Sequence, residues 1–256
     1  MLRDSNGPST ISAAVTGRNT DRSRAVGKRI MDVVGASTLL VVLLPILLVV
    51  AVSIKLDSRG PLLYRSRRIG RGGREFDMLK FRKMHSDASG PALTSSTDER
   101  FTRVGSFLAR TKLDELPQLW NVVRGDMSLV GPRPEDPSFV SIYPDAFDSA
   151  LTVRPGVTGL SQIAFAEEGR VLDVPDPMRR YVEGLLPQKL GLDELYVSRR
   201  STRMDMRILV WTILTVVFNV EVSVNRATGQ FTVRRRPQVA APRATETPAT
   251  SDELSS

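Results

Sequence analysis

The chain has 256 residues, 41% hydrophobic and 25% charged, a balance that excludes a wholly disordered protein. Lys and Arg outnumber Asp and Glu by 36 to 28, and the resulting charge of +8 points to a polyanionic partner: nucleic acid, an anionic membrane face or a phosphorylated substrate. With no cysteine and one histidine, His85, the chain cannot build a disulfide scaffold, a thiolate or multi-histidine metal site or a cysteine nucleophile; transfer or hydrolytic chemistry must run mainly on carboxylates, Lys and Arg.

Residues 1–25, rich in Ser, Thr, Gly and Arg without apolar periodicity, read as a disordered tail. Between Asp32 and Lys55 lie 22 uncharged residues, enough to cross a bilayer core, for which about 20 apolar residues suffice. The apolar run is too long, and too far inside the chain, for a cleaved signal peptide. Pro45, near its midpoint, breaks the helical hydrogen-bond ladder. Basic residues flank it on both sides: Arg18, Arg22, Arg24, Lys28 and Arg29 before it, Arg59, Arg65, Arg67, Arg68, Arg71 and Arg74 after. The positive-inside rule places both flanks in the cytoplasm, which a helix broken at Pro45 over 26–56, entering and leaving by one face, can satisfy. An ordinary span with a proline kink is the alternative.

Residues 57–224 are expected to form one domain, which over roughly 60–200 has the pattern of a polar globular unit. Short strands at 61–64 and 74–81 flank a Gly70–Gly73 turn. Helical pieces are expected over 98–124, a helix over 140–151 and a charged helical stretch over 176–200. The apolar run Ile208–Val220 is too short to span a bilayer and suits an interfacial helix, about 204–220, or a core helix. Residues 225–256 read as a second disordered tail.

Two stretches suit chemistry. Asp114 and Glu115 precede Pro117, which favours a helix start, so both acids fall in its first turn or cap, where the positive helix end stabilises carboxylates and admits phosphate. Adjacent helical residues diverge by about 100°, allowing the two acids separate roles; ordinary capping is the alternative. In Gly131-Pro-Arg-Pro134, Pro132 and Pro134 stiffen the backbone around Arg133, which suits a bidentate grip on phosphate; a rigid surface turn is the alternative. A similar loop follows at Arg154-Pro-Gly-Val-Thr-Gly159. Lys80, Arg82 and Lys83 by default form a solvated basic edge.

In order, the motifs are Lys28-Arg29-x-x-Asp32, the apolar segment with Pro45, Gly60-Pro61-x-x-Tyr64-x-x-x-Arg68-x-Gly70, Lys80-Phe-Arg-x-Met84 and Arg103-Val-Gly105. They continue with Leu113-Asp-Glu-Leu-Pro-Gln-Leu-Trp-Asn-Val122, Gly125-Asp-Met-Ser-x-Val-Gly-Pro-Arg-Pro134, Arg154-Pro-Gly-x-Thr-Gly159 with Gln162, and Asp193-x-x-Tyr196 with Asp205-x-x-Ile-Leu209. Together, over about 28–220, they resemble the bacterial sugar transferases: monotopic polyprenyl-phosphate phosphoglycosyl transferases that start exopolysaccharide, capsule or O-antigen assembly.

The resemblance implies an α+β, predominantly helical monotopic membrane protein with an N-terminal re-entrant helix hairpin, a small β-hairpin and interfacial amphipathic helices. It implies a place on the cytoplasmic face of the bacterial inner membrane and the minimal catalytic form, without the multi-span region of larger members. Asp114 would be the nucleophile that attacks the β-phosphorus of a UDP-sugar and expels UMP, and Glu115 would help hold Mg²⁺. Polyprenyl (undecaprenyl) phosphate would then take the sugar phosphate. Lys80, Arg133 and Arg154 would meet substrate phosphates, with Arg110, Pro132 and Pro134 in the same binding set. Asp205 would pair with a basic residue as structural support, as Pro45 supports the helix break. Two positions depart from the family pattern: Leu44 replaces the usual Ser before Pro45, and Lys112 the usual Ser before Leu113, passing the capping role to Thr111. Partners implied are the lipid bilayer, UDP-sugar and polyprenyl phosphate; a homodimer is left open. A non-enzymatic basic membrane-surface adapter is the second reading. Nucleic acid is not an expected partner, because aromatic residues make up only 6% and do not interleave with the basic ones.

Overall fold

The computed structural model describes residues 9–90, 93–94, 98–218 and 220–233, with side chains from Arg24 onward. The chain opens with two helices, α1 (Ser9–Val42) and α2 (Leu44–Asp57), bent by 62° at Leu43. Pro45 occupies the first turn of α2, where its missing N–H leaves no hydrogen bond unmade. Among the described residues no single helix is long and apolar enough to cross a membrane. α1 begins inside the stretch read as a tail: once a helix exists, each added residue gains one hydrogen bond, and the ladder here runs back to Ser9. Residues 1–8 lie outside the described residues.

Both arms of the bent pair are tied to the rest of the fold. Asp32, 2% exposed, accepts hydrogen bonds from Ser128 Oγ (2.8 Å) and Leu129 N (3.1 Å). Lys28 Nζ reaches Asp205 Oδ2 at 2.8 Å, and Tyr196 OH donates to the other oxygen of that carboxylate at 2.8 Å. At the far end, Asp57 accepts from Val104 N at 3.1 Å, while Val50 and Ile54 pack against Phe81 and Leu108. Around the bend Val41, Val42, Leu44, Leu48 and Val49 are exposed, while Ala36, Leu40, Leu43 and Leu47 pack against the core, so the apolar length is anchored at its two polar ends and keeps one set of side chains outward between them.

Next comes a hairpin, β1 (Leu63–Ile69) and β2 (Glu75–Phe81), antiparallel from Leu63↔Phe81 to Ile69↔Glu75. Its turn uses Gly72 and Gly73 at φ of 70° and 73°, a region that glycine enters without strain. Helices α3 (Arg103–Thr111) and α4 (Gln118–Arg124) follow, joined by a 3₁₀ turn over Leu113–Glu115. The outer edge of β2 is closed by a side chain of α4. The Asn121 amide donates to Asp77 O (2.8 Å) and accepts from Leu79 N (2.9 Å), doing what a neighbouring strand would do.

The remaining elements are short: β3 (Ser128–Val130), α5 (Pro137–Val140), α6 (Pro144–Phe147), β4 (Gly156–Thr158), α7 (Leu160–Ala164), α8 (Glu168–Val171) and α9 (Pro177–Arg179). The helix expected over 140–151 is replaced by single turns, because Pro137 and Pro144 each start a new one and neither can continue the turn before it. β3 and β4 pair in parallel and bring the two proline–glycine loops side by side. Gly131 and Gly156 permit that approach: a Cβ on Gly156 would sit 2.1 Å from Gly131 N.

From Pro177 the chain is helical through a π-helical stretch (180–185) into α10 (Leu186–Arg199), close to the expected 176–200. In α11 (Thr202–Val217) Asp205 and Ile208 face inward, while Met206, Val210, Ile213 and Val217 are exposed. The C-terminal tail expectation is corrected over 225–233. β5 (Val222–Val224) and β6 (Phe231–Val233) form a second hairpin, held by Phe231 stacking on Trp211 at 5.3 Å; residues 234–256 lie outside the described residues. The main core joins Met78, Leu119, Val122, Met127, Leu160, Leu192, Tyr196 and Ile208. The protein is thus α+β and mostly helical.

Replacing Asn121 by Ala strands two backbone groups of β2 against an apolar neighbour. Asn121→Ala is expected to lower unfolding stability by about 2–6 kcal/mol, at 1–3 kcal/mol per buried unsatisfied group, measurable by denaturant titration in detergent.

Candidate active site

The acids at 114 and 115 lie in the 3₁₀ turn ahead of α4 rather than inside its first turn. Lys112, with φ of 59°, closes α3 in the left-handed region and redirects the chain, and Pro117 then stands at the cap of α4. Thr111 does not cap this turn. Its hydroxyl donates back to Phe107 O (2.9 Å) and Leu108 O (3.3 Å), so the expected transfer of the capping role does not occur.

The two carboxylates each meet a lysine. Glu115 Oε1 accepts from Lys80 Nζ at 2.8 Å, and Asp114 Oδ2 lies 3.4 Å from Lys83 Nζ. Glu115 is 25% exposed and lines a cleft with Lys80, Gln118, Arg133, Pro134 and Gln162. Asp114 is only 2% exposed and sits under Lys83. Met78 and Lys80 share the cleft face of β2, as residues two apart on a strand do. Burial would raise the Glu115 pKa, but Lys80 and Arg133 outweigh it and hold the carboxyl well below its usual range. For Lys80, burial prevails over Glu115 and Asp114 and lowers the ammonium from its ordinary value.

Arg133 enters the cleft from the loop after β3, backed by a buried charge network. Its guanidinium Nε is 3.7 Å from Glu135 Oε1, and Lys189, 2% exposed, bonds Glu168 Oε2 (2.7 Å) and Tyr181 OH (3.2 Å). Tyr181 OH donates to Glu135 Oε2 at 2.9 Å. Burial alone would lower the Arg133 pKa; Glu168, Glu135 and Glu115 reverse that and raise it. The backbone N of Arg133 is directed at Asp193 Oδ2 (3.4 Å), and Asp193 Oδ1 accepts from Ser161 Oγ at 2.7 Å.

The other expected residues are distributed differently. Pro134 lines the cleft, whereas Pro132 is buried on the far side of Arg133, beside Ile69, Phe147 and Leu151. Arg154 does not join Lys80 and Arg133: its Nε donates to Gly125 O at 2.8 Å, at the end of α4 where Arg29 also bonds Val122 O and Val123 O. There burial, then Arg29 and Arg71, lower its pKa. Arg110 is exposed in the last turn of α3. Asp205 is buried on Lys28 and Tyr196, away from the cleft lining. The reading from sequence missed Lys83, Gln118 and the Glu135–Glu168–Lys189 group. Gln118 follows the acids within one motif and was findable there; Lys189 is brought in from a distant helix and carries no local signal.

Asp193 provides a pH test. Burial raises its pKa from 3.8 to about 7, against the opposing Ser161 hydrogen bond. The folded protein therefore holds this proton more tightly than the unfolded chain. That contribution is complete below about pH 4 and is lost as pH rises towards 7. Asp193→Asn is expected to show a smaller fall in melting temperature than the parent between pH 4 and 7; identical slopes would contradict the assignment.

The sequence pattern of the bacterial sugar transferase family matches residues 23–219. The chain is 40% identical over 192 residues to a UDP-glucose:undecaprenyl-phosphate glucose-1-phosphate transferase of Caulobacter vibrioides, covering 73% of this chain and 68% of that protein. It is 36% identical over 199 residues to a UDP-N-acetylgalactosamine-undecaprenyl-phosphate N-acetylgalactosaminephosphotransferase of Aeromonas hydrophila, with 74% and 43% covered. It is 37% identical over 198 residues to the exopolysaccharide production protein PSS of Rhizobium leguminosarum, with 73% and 94% covered. The chain thus spans nearly all of the last, about two thirds of the first and under half of the second. With acids, lysines and proline-held arginine all inside the matched span, this chain belongs to the bacterial sugar transferase family.

Proposed function

We propose that the protein transfers a sugar-1-phosphate from a UDP-sugar to polyprenyl phosphate, through a covalent intermediate on Asp114. The observation that carries this reading is the paired arrangement of Asp114 with Lys83 and Glu115 with Lys80, beside a stiffly held Arg133. Asp114 supplies an oxygen lone pair to the β-phosphorus; the bond from that phosphorus to the bridging oxygen breaks, and its electrons leave with UMP. A phosphate oxygen of the lipid then attacks the same phosphorus and the aspartyl oxygen departs as a carboxylate. Splitting the transfer in two is what a carboxylate nucleophile offers. Lys80 and Arg133 neutralise phosphate oxygens and orient the diphosphate.

Glu115 fits a role in holding Mg²⁺. It is part-exposed in the cleft, and no group of three or more metal-ligating side chains occurs among the described residues. Mg²⁺ bound through one or two carboxylates plus substrate phosphates asks for no more. When bound, it supplies charge to neutralise the diphosphate.

Incubation with UDP-glucose, UDP-galactose or UDP-N-acetylgalactosamine, without lipid acceptor, is expected to release UMP from at least one. The protein should gain the mass of a sugar phosphate at Asp114. Asp114→Asn is expected to lower turnover at least about 10³-fold, as loss of a nucleophile does; full activity in that variant would refute the reading.

We also infer that α1 and α2 form a re-entrant hairpin on the cytoplasmic face of the inner membrane, with the exposed face of α11 in the lipid interface. The exposed apolar bend between two anchored polar ends supports this, as do the basic flanks on both sides. The chain has no native cysteine, so Val26→Cys and Arg59→Cys can be probed singly. An impermeant thiol reagent applied to intact cells should label neither position; labelling of one alone would indicate a span.

A further inference from the structure

Lys83 is the cation nearest the proposed nucleophile, yet it stands at the unspecified position of the Lys80-Phe-Arg-x-Met84 motif and reads from sequence as part of a solvated edge. Its Nζ lies 3.4 Å from Asp114 Oδ2, on a carboxylate that is only 2% exposed, while its own side chain is 26% exposed. Its ammonium also lies 5.5 Å from the Phe101 ring centroid. The fold reserves this position for it. β2 ends at Phe81, Arg82 turns inward to bond Ser58 O (2.8 Å) and Arg59 O, and Lys83 emerges over the acid. The backbone there is fixed independently of the side chain: Lys83 O accepts from Thr102 N at 3.1 Å and lies where any Cβ on Gly105 would collide with it. Lys80, three residues earlier, pairs with the neighbouring acid Glu115 at 2.8 Å.

We propose that Lys83 is a further catalytic residue, the cation that covers Asp114 at rest and passes to the transferring phosphoryl group as the covalent bond forms. The charge balance requires such a movement. Before attack, Asp114 carries the negative charge that Lys83 neutralises. As an Asp114 oxygen bonds to the β-phosphorus, and the bridging bond breaks with its electrons leaving on UMP, the aspartyl group becomes an uncharged acyl phosphate linkage. The remaining negative charge then sits on the phosphoryl oxygens, and the ammonium, on a flexible and partly exposed stem, follows it. In the second half-reaction the carboxylate is regenerated and recovers its partner. Because the ammonium covers a carboxylate that has almost no other exposure, substrate must reach Asp114 by displacing it.

This rests on Asp114 being the nucleophile, and the test separates the two. The readout is single-turnover formation of the sugar-phosphate adduct, on full-length protein in detergent, with whichever of UDP-glucose, UDP-galactose or UDP-N-acetylgalactosamine the parent consumes. Lys83→Met is expected to slow adduct formation roughly 10²-fold, the scale of losing one preorganised charge partner, with KM changed by less than about threefold. Lys83→Arg, which keeps the charge, should recover most of the rate, and both variants should melt within a few degrees of the parent. If the parent forms the Asp114 adduct and Lys83→Met forms it within about twofold of the parental rate, the role of Lys83 is overturned while the nucleophile stands. Equal losses in Lys83→Met and Lys83→Arg would also overturn it, because charge would then not be the operative property. A parent that forms no adduct at Asp114 would remove both readings.

Discussion

The site depends on a side-chain amide that takes the place of a strand. β2 is an edge, and an exposed edge leaves backbone donors and acceptors without partners. Asn121 fills that edge at Asp77 and Leu79 while its own backbone carbonyl accepts from Gly125, Asp126 and Met127. One residue thereby fixes the middle of β2 against the middle of α4. The lysines at 80 and 83 belong to the strand side of this junction, and the acids at 114 and 115 to the helix side. Were β2 to slip by one residue, its alternating side chains would exchange faces and the pairing of Lys80 with Glu115 would be lost.

Behind Arg133 the protein maintains charge in an interior that would ordinarily exclude it. Burying Lys189, Glu135 and Asp193 is unfavourable unless each finds partners. Here Lys189 has Glu168 and the Tyr181 hydroxyl and ring, Glu135 has Tyr181, and Asp193 has Ser161 and the Arg133 backbone. The result is an arginine held on both its main chain and its guanidinium, between two prolines. Such preorganisation suits a phosphate ligand, since little ordering is left for binding to impose. The cleft lining carries Lys80 and Arg133 against Glu115.

The apolar helices and the polar domain are joined by a few hydrogen bonds to carboxylates, one of them an ion pair. Asp32 and the Lys28–Asp205–Tyr196 chain secure α1, and Asp57 at the N-terminus of α3 secures the end of α2. A carboxylate at the start of a helix is favoured by the free N–H groups there. These contacts fix the bent pair, with its exposed apolar bend, against the polar domain that carries Asp114 and Glu115.

What the sequence by itself determined is what depends on local chemistry. The uncharged run broken at Pro45, the hairpin around Gly72 and Gly73, the paired acids before Pro117 and the stiffened Arg133 all follow from residue types and short spacings. The ordered motifs identified the family for the same reason, being strings of neighbours. Tertiary structure decided what depends on residues far apart in the chain. It placed Lys83 over Asp114, turned Arg154 to the end of α4, broke 140–151 into single turns around its prolines, carried the chain beyond residue 225 into a second hairpin and brought Lys189 beneath Arg133. Side chains such as Lys83 and Lys189 look alike in a sequence, as solvated basic residues. Only the closing of the core, which withdraws water from one and leaves the other at the rim beside a carboxylate, makes them different.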